Sequence, residues 1–589
     1  MRLVFDIETD GLVDVMTKVH CIVAKDIDTK EVYSFTPDKV KEGVDLLINA
    51  KELIGHNIQD FDIPAIEKVF KVKFNNKLID TLLITRLIWT DIKDKDFREK
   101  IVPSQLIGKH SLDAWGYRLG QRKGDYIKKY GFENWTPEMQ TYCENDVEVT
   151  YSLYVKILQQ RYSSEAIELE HQFAHWIRKQ ERQGVNFDLT SAEKLFVFLT
   201  KQRLELENKL TKAFPPIEKH TDTLVPKRDN KKLGYKKGVP VKKFKMVEFN
   251  ANSRDHIAER LIINYKWKPT EFTPTGKPEI NERILKKLEY PEAKILAEHF
   301  MLQKRLGQLS DGEQSYLKLV TKENKIHGKI ITNGAVTGRC TANSPNLQQV
   351  VSSSSPYGKE LRSLFTAPSG FAMLGIDFSG LELRVLGHYL HSFDSGKFIK
   401  ELLEGDIHTV NQQAVGLSSR NQAKTFIYAY IYGAGNEKLG LITEGNSREG
   451  KRLRDNFEKK LPALKYLKQA VSDTYHNKKF LRGLDNRKLM CRSEHSALNT
   501  LIQSAGAIIV KKGTIILNEK LQKNNFVWGE DYAMVLHVHD EMQFIVKKNR
   551  VEEFKTIAES IFEDTRQAMK FRCRLDGEIK VGRDWSETH

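Results

Sequence analysis

The sequence is poor in the features that mark secreted, metal-stapled or membrane-embedded chains. Its five cysteines, Cys21, Cys143, Cys340, Cys491 and Cys573, are scattered over 589 residues, and none stands in a CxxC pair. That argues against a disulfide framework or a zinc ribbon and fits a reducing compartment. No apolar run is long enough to cross a bilayer, and Asp6 and Glu8 arrive too early for a signal peptide. The expectation is a soluble, cytoplasmic protein with no membrane partner. Acids are short as well: 78 of them face 94 lysines and arginines, a formal net charge of +16. On a large chain this surplus points to a polyanionic partner, nucleic acid first, although ordinary solubilising charge has the same appearance. The length predicts several domains, each with its own core.

What is present is a set of carboxylates in particular settings. From Val535 to Val546 apolar residues rise into His539-Asp540-Glu541 and then resume, which predicts two strands joined by a tight turn. Adjacent carboxylates at an anchored hairpin tip are costly unless a cation binds them, and a divalent metal is the natural choice. A lone turn of this kind is more often just solvated, so the rest of the chain has to decide. Leu374-Gly-Ile-Asp377 predicts a strand ending at an acid, with Glu382 and Arg384 at the start of the helix that follows. Arg420, Lys424, Tyr428 and Tyr432 recur every four residues along one side of a predicted helix. Cations followed by aromatics suit a triphosphate at one end and a base at the other, although a snorkelling amphipathic helix shares the pattern.

The N-terminal third carries a second acidic set. Leu3-Val4-Phe5 predicts a strand running into Asp6 and Glu8, which project to one face. Asp62 stands just before Ile63-Pro64, and Tyr142 and Asp146 are one helical turn apart. In the middle, Glu165 to Phe214 predicts long structural helices. Between Pro226 and Met246, nine lysines or arginines face one aspartate, with Gly234, Gly238 and Pro240 among them. This predicts a flexible basic excursion from a helical arm, either a solvated loop or a phosphate contact. Helical signals resume near Ser253.

Taken in order, Asp6 with Glu8, then Asp62, then Tyr142 with Asp146 resemble the three motifs of the DEDD-type 3′–5′ exonucleases, in the subgroup with tyrosine in the third. His110-Ser-Leu-Asp-Ala-Trp115 is similar to the segment before that motif, and the resemblance covers about the first 165 residues. In the C-terminal half, the pattern DxSxxELR at Asp377, RxxxKxxxYxxxYG at Arg420 and the turn His539-Asp540-Glu541 resemble, in series, the three polymerase motifs of family A. Gly483 to Ala507 is similar to the stretch between the second and third. Phrases such as AKTFIY, SPYG, GDIHT and ALNTLIQSAGA extend the similarity almost end to end, toward the replicative polymerases of T-seven-like (podovirus-type) bacteriophages.

That resemblance implies an α/β (α+β) multidomain fold. A ribonuclease H-like exonuclease over 1–165 precedes a right-hand polymerase over 166–589, with the thumb about 185–325, the palm about 326–405 and 500–589, and the fingers about 406–499. It implies a DNA-templated DNA polymerase that proofreads, using Mg2+, for which Mn2+ can substitute, two ions at each site. Asp377, Asp540 and the Phe378 carbonyl would hold one pair; Asp6, Glu8, Asp62 and Asp146 the other, with Tyr142 orienting the attacking water. His408, Arg420 and Lys424 would grip the triphosphate, Lys424 also acting in catalysis. Tyr428 would stack near the incoming nucleotide and Glu382 would exclude a 2′-hydroxyl. Arg339 and Gln503 would read minor-groove acceptors, His539 would contact the primer end and Tyr432 the DNA, and Glu541 would assist in the outer shell. The implied partners are primer–template DNA, dNTPs, a phage helicase-primase and a single-strand-binding protein. The interval Ile217 to Glu248 is much shorter than the insertion that recruits thioredoxin in the T-seven type, so thioredoxin is not carried over. A single-subunit RNA polymerase is disfavoured by Glu382 and the nuclease motifs, and a non-catalytic scaffold by the full set of carboxylates. Compact length favours a phage enzyme over a repair polymerase.

Overall fold

The computed structural model describes residues 1–121, 131–405 and 415–589. The chain divides into two compact units, one of residues 1–185, 327–350 and 366–589, the other of 186–326 and 351–365.

The first unit begins with a five-stranded sheet of β1 (Arg2–Thr9), β2 (Val19–Asp26), β3 (Val32–Phe35), β4 (Glu52–Gly55) and β5 (Lys77–Asp80), ordered β3-β2-β1-β4-β5. β2 and β3 run antiparallel as a meander, whereas β4 and β5 run parallel to β1 and are reached through helices Val40–Ile48 and Asp62–Phe70. The central strand is apolar on both faces. Leu3, Phe5 and Ile7 enter one core, and Val4 enters another with Tyr142, Cys143 and Val147 of helix Pro137–Gln159. Asp6 and Glu8 share Val4's parity, so the strand's pleat aims them at that helix. Its start is fixed by Thr136, whose side chain accepts from the Met139 N–H, and by Pro137 at the first turn.

The same unit holds a four-stranded antiparallel sheet of β6 (Phe371–Phe378), β7 (Tyr532–Val538), β8 (Glu541–Lys547) and β9 (Gly577–Gly582), ordered β7-β8-β6-β9. Helix Glu494–Lys523 packs on it, started by a Ser493–Ser496 capping box. A Cβ at Gly513 would lie 2.8 Å from the Phe378 ring, so only glycine lets the helix approach this closely beside Asp377. Among the described residues this is the one helix long and apolar enough to cross a membrane, contrary to the expectation that no such run exists, and most of its apolar stretch is buried in the core. It also carries one member, Lys511, of a buried four-residue ion cluster. Lys511 Nζ lies 2.6 Å and Arg487 Nη1 2.8 Å from Glu170 Oε1, and Arg487 Nη2 lies 2.6 Å from Asp485.

The helices expected from Glu165 to Phe214 are present, and one expectation from sequence needs correction. The helical stretch from Glu165 breaks after helix Ser164–Gln183, because Gly184 adopts φ +63° and a Cβ there would meet the His327 ring at 2.7 Å. Short strand Val185–Phe187 then precedes helix Leu189–Ala213. In the second unit, the basic excursion is partly strand: Val241–Val247 pairs antiparallel with Ile217–Leu224. Lys242, Lys243 and Lys245 are exposed on it. With no buried face, the ribbon leaves no apolar alternation for a sequence reading to find. The unit's core gathers Leu210, Phe214, Phe249, Trp267 and Phe300, and helix Arg254–Tyr265 starts at Ser253 as expected.

Candidate active sites

Asp377 is the penultimate residue of β6, opposite Glu541 of β8 on one side and Glu578 of β9 on the other. The Phe378 N–H donates to the Asp540 carbonyl at 3.2 Å, which seats the hairpin turn against the end of β6. The turn is the two-residue link between β7 and β8, and His539 holds it with φ 57°, a left-handed conformation that is strained for histidine. The two acids therefore converge. Burial raises the Asp377 carboxyl to about 6, with Glu541 adding to it. Burial raises Asp540 to about 7, and the charges of Asp377 and Glu382 push the same way. Clustered, partly desolvated carboxylates that repel one another form a hard-oxygen donor set that a divalent cation fits.

Glu541 behaves differently. Burial works against its charge, but His589, Gln543 and Trp585 hold its carboxyl below the ordinary value. His589 Nδ1 lies 2.7 Å from Oε2, while Trp585 Nε1 donates at 2.5 Å and Gln543 Nε2 at 2.6 Å to Oε1. Both oxygens of the Glu541 carboxylate are therefore engaged beside Asp377. Sequence reasoning assigned no role to His589 and did not single out Trp585. The only available signal was chemical type, since their positions fix no contact.

Glu382 sits in the first turn of helix Leu381–Asp394 and accepts from the Tyr432 hydroxyl at 2.8 Å, with Arg339 Nη2 3.4 Å away. Helix Arg420–Ile431 starts at Ser419, whose side chain accepts from the Gln422 N–H, and it buries Ala423, Phe426, Ile427 and Tyr430. Its opposite side carries exposed Arg420 and Lys424, then half-buried Tyr428. Burial pushes the Tyr428 hydroxyl up to about 12, and the charges of Glu382, Asp540 and Asp377 add to it, so this ring borders all three acids. His539 has its proton affinity lowered by burial and by Arg339, which places those two side by side. Gln503 is half-buried on helix Glu494–Lys523. His408 lies outside the described residues.

The N-terminal acids form a second cluster. Ligand atoms of Asp6, Glu8 and Cys143 all lie within 4.8 Å of one another. Asp62, the first residue of its helix, is 3% exposed and accepts from the Ile7 N–H. Burial raises its carboxyl to about 7, and the charges of Asp80 and Asp146 push it the same way. Tyr142 and Asp146 are buried on the helix side facing β1. Every acid of the expected set is thus at one place, and so is Tyr142. Cys143 was missed as a neighbour of the site: its Sγ lies 3.4 Å from the Asp6 carbonyl. The pattern that found Tyr142 and Asp146 passes through it without marking it. Asp80 was missed too, and its carboxylate accepts from the Asn57, Gln59 and Leu82 N–H groups, a role in holding the loop before Asp62.

Comparison with known proteins gives a consistent result. The sequence pattern of DNA polymerase family A matches residues 237–587. Proteins named DNA-directed DNA polymerase from Enterobacteria phage T3 and Escherichia phage T7 are each 34% identical over 710 residues, covering 100% of both chains. Those alignments are longer than the 589 residues here, so the relatives carry segments with no counterpart in this chain. A solved structure, the POL domain of Pol1 from M. smegmatis in complex with DNA primer-template and dNTP, has the same fold at a TM-score of 0.75 and 16% identity, covering 99% of this chain and 96% of that one.

Proposed function

The chain belongs to family A of the DNA polymerases, and on that premise we propose that it extends a primer 3′-hydroxyl with dNTPs on a DNA template and proofreads with an N-terminal 3′–5′ exonuclease, as the replicative polymerase of a bacteriophage. The observation that carries the synthetic half is the meeting of Asp377 and Asp540 at the Phe378 N–H to Asp540 carbonyl bond. Asp377, Asp540 and the Phe378 carbonyl would hold two Mg2+ ions, which when bound lower the pKa of the primer hydroxyl and neutralise charge on the leaving pyrophosphate.

This chain's own residues do the positioning. Lys424 and Arg420, exposed along one helix side, meet the triphosphate, and Tyr428 between them and the acids takes the nucleotide's base and sugar. Glu382, fixed by Tyr432 and Arg339, leaves no room beside the sugar for a 2′-hydroxyl. Arg339 and Gln503 read minor-groove acceptors that all correct pairs present in similar places. His539 contacts the primer end, and Glu541 orients the pair through its own three donors. In the N-terminal cluster, Asp6, Glu8, Asp62 and Asp146 would hold the second pair of ions, and Tyr142 would orient the attacking water. In this reading residues 1–165 are the exonuclease and the second compact unit is the body of the thumb. The cell compartment is the host cytoplasm, and a helicase-primase and single-strand-binding protein are replication partners. Thioredoxin is not among them, because the stretch that would recruit it is reduced to a short ribbon.

Extension of a mismatched primer by the purified protein tests both halves together. Wild type is expected to trim and then extend; Asp6→Ala with Glu8→Ala is expected to stall at the mismatch yet extend a matched primer normally. Undiminished trimming by the double variant would remove the exonuclease assignment.

A further inference from the structure

One helix of the first unit, Ser164–Gln183, is bonded to elements that support both carboxylate clusters. Glu170 accepts from Lys511 of helix Glu494–Lys523, whose Gly513 rests on the Phe378 ring beside Asp377, and it pairs with Arg487 as well. The next residue, His171, reaches the N-terminal sheet. Its Nε2 lies 2.8 Å from the backbone N–H of Asp80, the last residue of β5. Both partners are buried, His171 being 8% and Asp80 2% exposed.

The neighbours of the imidazole fix its tautomer. Nδ1 lies 2.8 Å from the Ile167 carbonyl, which can only accept, so Nδ1 carries the proton and Nε2 offers a lone pair to the Asp80 N–H. Held at its backbone, Asp80 spends its carboxylate on the loop before Asp62. Oδ1 accepts from the Asn57 and Leu82 N–H groups at 2.9 Å each, and Oδ2 from the Gln59 N–H at 3.2 Å. Within the loop, the Asn57 carbonyl accepts from the Phe61 N–H and the Ile58 carbonyl from the Ile63 N–H, both at 3.1 Å. Asp62 therefore stands between two residues that are each bonded back into a loop hung on Asp80. Two turns beyond His171 on the same side of the helix, buried Arg178 brings Nε to 3.9 Å from the Asp60 carboxylate. The helix thus meets this loop at a second point, while Glu170 anchors it in the buried ion cluster.

We propose that His171 is a positioning residue of the N-terminal exonuclease. By accepting from Asp80 it fixes the aspartate that sets the loop 57–61, and so places the Asp62 carboxylate where a divalent ion shared with Asp6, Glu8 and Asp146 can be held. Without the imidazole acceptor the Asp80 N–H is buried and unpaired, a cost that a shift at the end of β5 relieves by carrying the loop with it. Groups that orient metal ligands from behind typically change metal affinity or activity by about 10–100-fold. The proposal rests on the exonuclease reading for the role of the ion, and adds to it a residue that touches neither ion nor substrate.

The test uses the full chain with Asp377→Asn and Asp540→Asn, so that Mn2+ titration followed by electron paramagnetic resonance reports on the N-terminal cluster. Into this parent go His171→Leu, which keeps the bulk and removes the acceptor, and His171→Gln, whose amide oxygen reaches the place of Nε2. His171→Asn, whose shorter amide does not reach it, replaces the leucine variant if that one folds poorly. His171→Leu is expected to weaken Mn2+ binding by about 10-fold or more, and His171→Gln to recover most of the loss. Hydrolysis of a labelled single strand should show the same order, with kcat falling and KM for DNA little changed. Matched-primer extension by His171→Leu in the otherwise native chain should be unchanged. Parent-like Mn2+ binding by His171→Leu overturns the proposal; so does equal loss in the leucine and glutamine variants, or loss of extension, since either marks a packing role. Absence of hydrolysis by the parent would remove the exonuclease reading, while the Mn2+ comparison still decides whether His171 positions the cluster.

Discussion

Replacing Asp540 with asparagine should stabilise the metal-free protein while destroying its synthetic activity. The carboxyl is raised from 3.8 to about 7 by burial and by Asp377 and Glu382. A folded-state pKa above the unfolded value means the fold prefers the protonated acid. The penalty therefore starts near pH 4, grows as pH rises, and is complete above about 7. A shift of roughly 3 units at about 1.4 kcal/mol per unit sets an upper bound of about 4 kcal/mol, and partial solvent contact reduces it to about 2–4 kcal/mol. Asparagine keeps the shape and removes the charge, so at pH 8 in EDTA the variant should unfold at higher urea than wild type, with more than half of the gain gone by pH 5. Adding Mg2+ at pH 8 should stabilise wild type more than the variant, which keeps only the N-terminal acidic cluster intact. A variant less stable than wild type at pH 8 in EDTA, or a difference that does not vary with pH, would refute this reasoning.

Other consequences can be measured independently. Glu170→Ala strands Arg487 and Lys511 in the core with Asp485 as the remaining anion, which should cost about 3–5 kcal/mol of stability in denaturant titration; a loss under about 1 kcal/mol would mean the cluster is not held together as its distances indicate. Glu382→Ala frees the Tyr432 hydroxyl and opens space beside the sugar, so competition between ribo- and deoxynucleotides should shift toward the former; unchanged discrimination would detach Glu382 from that role. Association with primer–template should weaken steeply with salt as phosphate contacts release counterions, and a flat response would contradict a backbone-dominated grip.

Much of the active-site chemistry could be read in advance because it depends on short-range periodicity. Asp6 and Glu8 share a face because strands alternate, Tyr142 and Asp146 because helices turn, and both survive in the fold. The hairpin around His539-Asp540 was readable because apolar flanks bracket a polar turn. The convergence of Asp377 with Asp540 followed from the order of motifs rather than from any local signal, since sheet order is a property of the whole chain. Contacts that join remote positions stayed hidden: Cys143 beside Asp6, Trp585 and His589 on Glu541, and Glu170 with Lys511. The basic ribbon was mistaken for a loop because its strands bury nothing. The break at Gly184 between the two helices comes with the close approach of His327, and no helical periodicity encodes its exact position.

The most direct measurement is single-nucleotide addition to a matched primer–template by the purified chain in Mg2+, comparing wild type with Asp377→Asn and with Asp540→Asn. Rapid addition by wild type and losses on the order of 10³-fold in each variant are expected. Addition by either variant at close to the wild-type rate would contradict the claim that these two carboxylates form one site of synthesis.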